Sequence, residues 1–355
     1  MTKKQIFHGK RILVTGGTGS LGKVLVSRLL KGDLGEPEKV IVFSRDEAKQ
    51  HYMRLDYQQK YNSTEEIIFR DYERKLEFRI GDIRDYNRVV SVLRDIDIVF
   101  NAAAMKQVPN CEYFPYEAVR TNISGPENLV RAIEQHKFPV HLVMGISTDK
   151  ACKPVNVMGM TKALQERIFI QANMRCPCVH FACVRYGNVL ASRGSVVPLF
   201  HEQICKGGPV TVTTPDMTRF LLSLEDAVDT VFAAAQNSEP GEIFVPNIPS
   251  ALMTNVAKAM IQDRPIEMVF TGIRPGEKLH EIMVSEEEAL RTVIRGQWYA
   301  IRPMLPELES KTVEPPALQK EFSSEDCVMS YEETVALLDR NGIINNDGDL
   351  NAWRS

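Results

Sequence analysis

The stretch STDKACKPVNVMGMTK, residues 147–162, sets a carboxylate beside an ammonium at Asp149 and Lys150, and a second ammonium at Lys162. An adjacent acid and base can remove a proton from one atom and deliver one to its neighbour, which is what elimination of water requires. A lysine acts as base only when neutral, so the pKa of Lys150 should be lowered by burial or by a nearby cation, and Lys162 is the candidate for that cation. Met158 stands four residues before Lys162, on the same face of a helix, and its thioether cannot hold a proton.

A second set of residues suits a nucleotide. VTGGTGSLGK, residues 14–23, carries Gly16, Gly19 and Gly22 at G-x-x-G-x-x-G spacing between a strand and a helix. Such glycines allow a tight turn and close backbone approach, and the helix N-terminus offers free N–H groups to a pyrophosphate. FSRDE follows the second strand, where a carboxylate accepts from a ribose 2′-hydroxyl and a cation suits a 2′-phosphate; Ser44 and Arg45 favour NADP over NAD, because Asp46 falls one residue late. Asp82 in GDIRD is placed to accept from an adenine amino group or to cap a helix. NAAAMK, residues 101–106, ends the fourth strand in small residues that let backbone lie against the cofactor, with Lys106 in reach of phosphate or substrate.

The elements that must position these groups are near-continuous apolar runs at 11–16, 39–44, 76–82, 97–103, 140–147 and 179–187, separated by helical patterns. Strands apolar on both faces belong to a parallel sheet covered by βαβ crossovers, so the fold class is α/β, a doubly wound Rossmann sheet. Residues 8–190 form the dinucleotide-binding domain, with 221–245 returning to it; 191–220 and 246–305 form a smaller C-terminal substrate lobe, and 306–355 an extension wrapping the surface before a last short helix. Residues 46–75 are long for one crossover and imply a helix plus an insertion.

Composition narrows the partners. The chain has 355 residues, 44% hydrophobic and 25% charged, with a formal charge of -3, so neither nucleic acid nor an anionic membrane is an expected partner. It contains no run of about 18 apolar residues and no apolar signal-peptide core, which points to the cytoplasm. Cys176 and Cys178 are spaced too tightly for a zinc half-site, so no metal is expected.

The glycine turn, NAAA, the serine ending the fifth strand and Lys162 together resemble the extended short-chain dehydrogenase/reductases. More narrowly, FSRDE, KQVPNCE, STDKA, RYGNVLASRGSVVPLF, DMTRF and GIRPGEKLHE resemble the bacterial UDP-N-acetylglucosamine 4,6-dehydratases of capsule and flagellin-glycan synthesis, over about residues 8–305. The resemblance implies oxidation at carbon 4 of the sugar, loss of water across carbons 5 and 6, and return of the hydride to carbon 6. It implies Asp149 as the acid and Lys150 as the base at carbon 5, with Thr148 against the 4-hydroxyl and Lys162 on the nicotinamide ribose. Most of the superfamily has a tyrosine where Met158 stands, but some members of this dehydratase family also carry methionine there. It further implies a cofactor set of Gly16, Thr18, Gly19, Ser20, Leu21, Gly22, Ser44, Arg45, Asp82, Ile83, Ala102, Ala103, Ala104, Lys106, Lys162 and Tyr186. For a UDP-sugar it implies Lys106, Asn188, Arg193, Ser195, Arg219, Arg274 and Glu277, the arginines on phosphate and Glu277 on ribose, and it implies homo-oligomers, dimers or hexamers. The competing readings are a UDP-sugar 4-epimerase and a catalytically silent NADP-binding protein.

Overall fold

The computed structural model describes residues 5–60, 72–190, 195–309 and 314–344. Its main sheet takes up each apolar run: β1 Arg11–Thr15, β2 Lys39–Ser44, β3 Leu76–Ile80, β4 Ile98–Asn101, β5 Leu142–Ile146, β6 His180–Val184, β7 Ile243–Pro246, β8 Thr292–Arg295 and β9 Trp298–Ile301. Their order is β8-β9-β7-β6-β5-β4-β1-β2-β3. Strands β1 to β7 run parallel, and β9 and β8 add an antiparallel hairpin at the β7 edge. That hairpin corrects the sequence reading, which gave all of 246–305 to the lobe. Because β1 pairs with both β2 and β4, the order reverses there and leaves a crevice at the carboxyl ends of the strands.

The helices of eight or more residues among those described are α1 Ser20–Lys31, α2 Glu47–Lys60, α3 Tyr86–Leu93, α4 Gly125–His136, α5 Val157–Arg175, α6 Val196–Cys205, α7 Leu224–Asn237, α8 Met253–Ile261 and α9 Tyr331–Arg340. Two apolar cores hold them to opposite faces of the sheet. Ile12, Val14, Val40, Val42 and Phe100 point to one, and Leu13, Ile41, Val99, Val143 and Phe181 to the other. This is the period-2 alternation of strands buried on both sides. The insertion expected after α2 falls at 61–71, outside the described residues.

The lobe has its own core, built on α6, α8 and the pair formed by Thr218–Leu222 and Ser250–Leu252. Met329, Leu338 and Ile343 are buried in it, and Phe322–Ser323 pairs with Ile282–Val284. The C-terminal segment, expected to wrap the surface, is thus structural material of the lobe. No described helix is long and apolar enough to cross a membrane.

Candidate active site

A cleft of about 560 Å³ runs along the carboxyl ends of β1, β2, β4, β5 and β6. At its nucleotide end the glycines explain the turn. Gly16 has φ +65°, and an added Cβ would lie 2.8 Å from the Ala103 backbone; at Gly22 it would lie 2.6 Å from Gly17 Cα. Any side chain would therefore push the turn off β4 or α1 off the turn. Gly19 is the N-cap of α1 and supplies no side-chain cap, so the first-turn N–H groups keep no such partner and face the cleft. Thr18, Ser20, Leu21 and the Ala102–Ala104 backbone line the same wall, with Thr15 Oγ1 accepting from Ala103 N at 3.2 Å. This cradle of Cβ-intolerant backbone fits a dinucleotide pyrophosphate.

Further along, Ser44, Arg45, Asp46, Lys49, Asp82 and Ile83 line the cleft. Ser44 Oγ is held by Gln50 Nε2 at 3.1 Å and receives Thr18 Oγ1 at 3.3 Å, whereas Arg45 is exposed. Asp46 accepts from Lys49 N at 2.9 Å and pairs with its ammonium at 2.9 Å, so it caps α2. Asp82 is gripped by Arg84 Nε at 2.9 Å and Nη2 at 2.6 Å, with Arg45 at 3.9 Å. Burial would raise its carboxyl, but these arginines hold it below the usual range. The capping role considered for Asp82 belongs to Asp85, which receives Asn87 and Arg88 N–H ahead of α3.

At the other end of the cleft, Asp149 and Lys150 form a single turn after β5. Asp149 is fully buried, and its N donates to Tyr186 O at 3.0 Å. Its Oδ1 accepts from Thr148 Oγ1 at 2.8 Å and from Lys150 Nζ at 3.1 Å; its Oδ2 has no hydrogen-bond partner among the described residues. Lys150 Nζ lies equally close, 3.1 Å, to Glu281 Oε1, and 3.5 Å from Asn188 Oδ1. Burial alone would lower the ammonium's pKa, but the two carboxylates override it and Lys150 sits above the ordinary lysine value. Burial raises the Asp149 carboxyl, with Lys150 opposing and Glu281 adding to the rise. The expected lowering of Lys150 is thus reversed, and the cation that bears on it is Arg219, not Lys162.

Lys162 projects into the same cleft from α5, which starts at this point because Asn156 Oδ1 caps it through Gly159 N at 2.8 Å. Its Nζ donates to Ile146 O at 2.8 Å and Gln165 Oε1 at 2.9 Å, and burial draws its pKa down to about 8. Met158, in the register discussed above, lines the cleft and packs with Cys111 and Ala118.

The proposed substrate residues do not all gather. Lys106, Asn188 and Ser195 line the cleft, as does Tyr186 of the cofactor set. Arg219 is buried with its donors spent inside the protein: Nη1 donates to Thr218 O and Leu279 O at 2.7 and 3.0 Å, Nη2 to Lys278 O at 2.9 Å. These bonds brace the segment that leads into Glu281 and, unlike the expected phosphate role, turn Nη1 and Nη2 to backbone carbonyls. Arg274 is exposed in a turn tied to α5 by Asn156 Nδ2 donating to Gly276 O at 2.9 Å, and Glu277 holds its buried Oε2 without a partner among the described residues. Arg193 lies outside the described residues.

Sequence reading missed Glu281, although it ends the quoted GIRPGEKLHE, and Asn122. Asn122 clamps Met105 N and O at 2.8 and 2.9 Å and Thr161 Oγ1 at 3.0 Å, from a π-helical turn at Arg120–Ser124. π-turns often sit at functional sites, but nothing in residue order announces one.

Residues 12–303 match the polysaccharide biosynthesis protein family. The chain belongs to that family. It is 44% identical over 302 residues, 83% of this chain and 84% of the relative, to a protein of Rickettsia bellii (strain OSU 85-389) named UDP-glucose 4-epimerase. Among solved structures it resembles Pen from Bacillus thuringiensis, at a TM-score of 0.84 and 33% identity over 95% of this chain and 99% of that one. It also shares its fold with DesIV, a dTDP-glucose 4,6-dehydratase from Streptomyces venezuelae with NAD and TYD bound, at TM-score 0.63 and 20% identity over 76% of this chain and 86% of that one. The parallel sheet and the lobe at its carboxyl edge are the fold it shares with these solved structures.

Proposed function

We propose that this family member is a UDP-N-acetylglucosamine 4,6-dehydratase using NADP. The observation that carries the reading is the buried Asp149 beside Lys150 at the cleft floor, an acid whose proton affinity burial raises, 3.1 Å from an ammonium. A dinucleotide held by its pyrophosphate in the glycine cradle would supply the hydride exchange, from carbon 4 of the sugar and back to carbon 6. The new ketone acidifies the carbon 5 hydrogen. Lys150 removes that proton once it has lost its own to water in the cleft it lines, and Asp149 protonates the departing 6-hydroxyl as water. Lys150 gives its proton back to carbon 5, on whichever face sets the product's configuration. Thr148, bonded to Asp149 Oδ1, sits against the 4-hydroxyl, whose proton leaves to cleft water on oxidation; Asp149 is re-protonated from water once the 6-hydroxyl has gone. Lys162, near pKa 8, holds the ribose, and Met158 only shapes the wall.

NADP is favoured because Arg45 is exposed at the ribose end while Asp46 is committed to α2 and Lys49. Arg274 and Glu277 approach the UDP moiety from the lobe, and the enzyme works as a cytoplasmic homo-oligomer.

The name of the Rickettsia relatives favours a second reading, a UDP-sugar 4-epimerase. That reaction shares oxidation at carbon 4 but needs no acid–base pair at carbons 5 and 6. Mass spectrometry after incubation with UDP-N-acetylglucosamine separates the two. A product lighter by one water supports the dehydratase, and an isobaric one overturns it.

A further inference from the structure

One ammonium lies between two buried carboxylates. Lys150 Nζ is 3.1 Å from Asp149 Oδ1 and 3.1 Å from Glu281 Oε1, and the acids are 0% and 2% exposed. Each acid keeps its second oxygen without a partner among the described residues. Two carboxylates on one ammonium favour a retained proton on the less compensated acid. The surroundings decide which acid keeps it.

Glu281 has cations on its side: Arg219 Nε lies at 3.8 Å, and Lys278 adds its charge. These, with Lys150, outweigh burial and keep Glu281 ionised. Among the described residues, Asp149 is paired with Lys150 alone and faces Glu281 as a like charge. Glu281 is also fixed from both strands beside it. Its N donates to Ser324 Oγ at 2.9 Å and its O accepts from Ser324 N at 2.8 Å; Thr218 Oγ1 meets Ser324 Oγ at 2.7 Å and His280 Nδ1 at 2.7 Å. His280 in turn faces Glu325 at 3.6 Å. Glu281 lies behind Lys150 and does not line the cleft.

We propose that Glu281 is a positioning residue that acts through Lys150: it aims the amine at the cleft and, as the ionised partner, favours the acid proton staying on Asp149. This rests on the dehydratase reading. Lys150 first loses its ammonium proton to water in the cleft it lines, an N–H bond breaking as an O–H bond of hydronium forms. The free amine pair then takes the carbon 5 proton, the C–H electrons form the carbon 5–6 double bond, and the C–O bond at carbon 6 breaks as Asp149 gives its proton to the leaving water. After Lys150 reprotonates carbon 5, the amine regains its proton from cleft water.

The test uses full-length enzyme with UDP-N-acetylglucosamine. Glu281→Gln should lower kcat about 100-fold, within the usual reach of general-base help, with KM within twofold. Because Lys150 would then pair with Asp149 alone, the Asp149 pKa should fall and the basic limb of kcat against pH should move down. Glu281→Asp, which keeps the carboxylate, should recover at least tenfold of the loss and hold the basic limb near wild type; should Glu281→Gln be insoluble, a basic limb left unmoved in Glu281→Ala overturns the proposal. Wild-type turnover in Glu281→Gln, or an unmoved pH profile, overturns the Glu281 role alone. An isobaric product from the unaltered enzyme overturns the dehydratase reading and this step with it.

Discussion

Lys150 and Lys162 enter one cleft from opposite sides, one from the turn after β5 and the other from α5. Burial pushes both toward the neutral form. Lys162 meets only uncharged acceptors, the Ile146 carbonyl and the Gln165 amide, and is drawn down to about 8. Lys150 meets Asp149 and Glu281 and ends above the ordinary value. Depth in the protein thus does not set a lysine's proton affinity; the charge of its neighbours does. The difference also divides the labour. The uncharged surroundings suit Lys162 to a cofactor hydroxyl, and the crowded charges suit Lys150 to moving protons.

Removing either member of the charged group should break the comparison most severely. Lys150→Ala and Asp149→Asn are expected to lose 10²- to 10⁴-fold in formation of the 4-keto product while still binding nucleotide. Full activity in either would remove the chemical role assigned to this region.

The uncharged pocket of Lys162 is tested through stability. Its folded pKa lies below its unfolded value, so the unfolded chain binds more protons between about pH 8 and 10.5, and stability rises with pH across that window. Below about pH 8 the burial penalty is present in full. Lys162→Met should remove this rise, on the order of 3 kcal/mol, in denaturant melts of the cofactor-free protein. A variant curve parallel to wild type would place Lys162 in water.

A third cation, exposed Arg274, should give a smaller effect confined to substrate. Arg274→Ala is expected to raise KM for the UDP-sugar about tenfold, as loss of a charge-assisted bond does, with NADP affinity unchanged by titration. The smallest effect should come from the wall between the two lysines. Met158→Tyr should keep turnover within about tenfold of wild type, and a dead variant would show that the thioether's shape matters to the cleft.

Residue order made the nucleotide half legible because each signal there is local. The glycine spacing, the serine ending β2 and the apolar runs act within one βα unit, and the strands formed within a few residues of where the alternation puts them. The lobe was harder. Its C-terminal segment looked like surface wrapping because Pro and Glu dominate it, yet Ser324, Met329 and Leu338 are buried in or against the lobe. Arg219 read as a phosphate ligand because nothing in DMTRF reveals that three carbonyls already occupy its donors.

By itself, the sequence determined the parallel sheet, the glycine cradle and the adjacency of Asp149 to Lys150, since periodicity and short-range spacing act before the chain is packed. Only the tertiary structure decided which charges meet Lys150. Glu281 is distant along the chain, and strand pairing in the lobe delivers it to 3.1 Å. A proton's affinity for a buried amine depends on such through-space charges, which no local stretch of residues encodes.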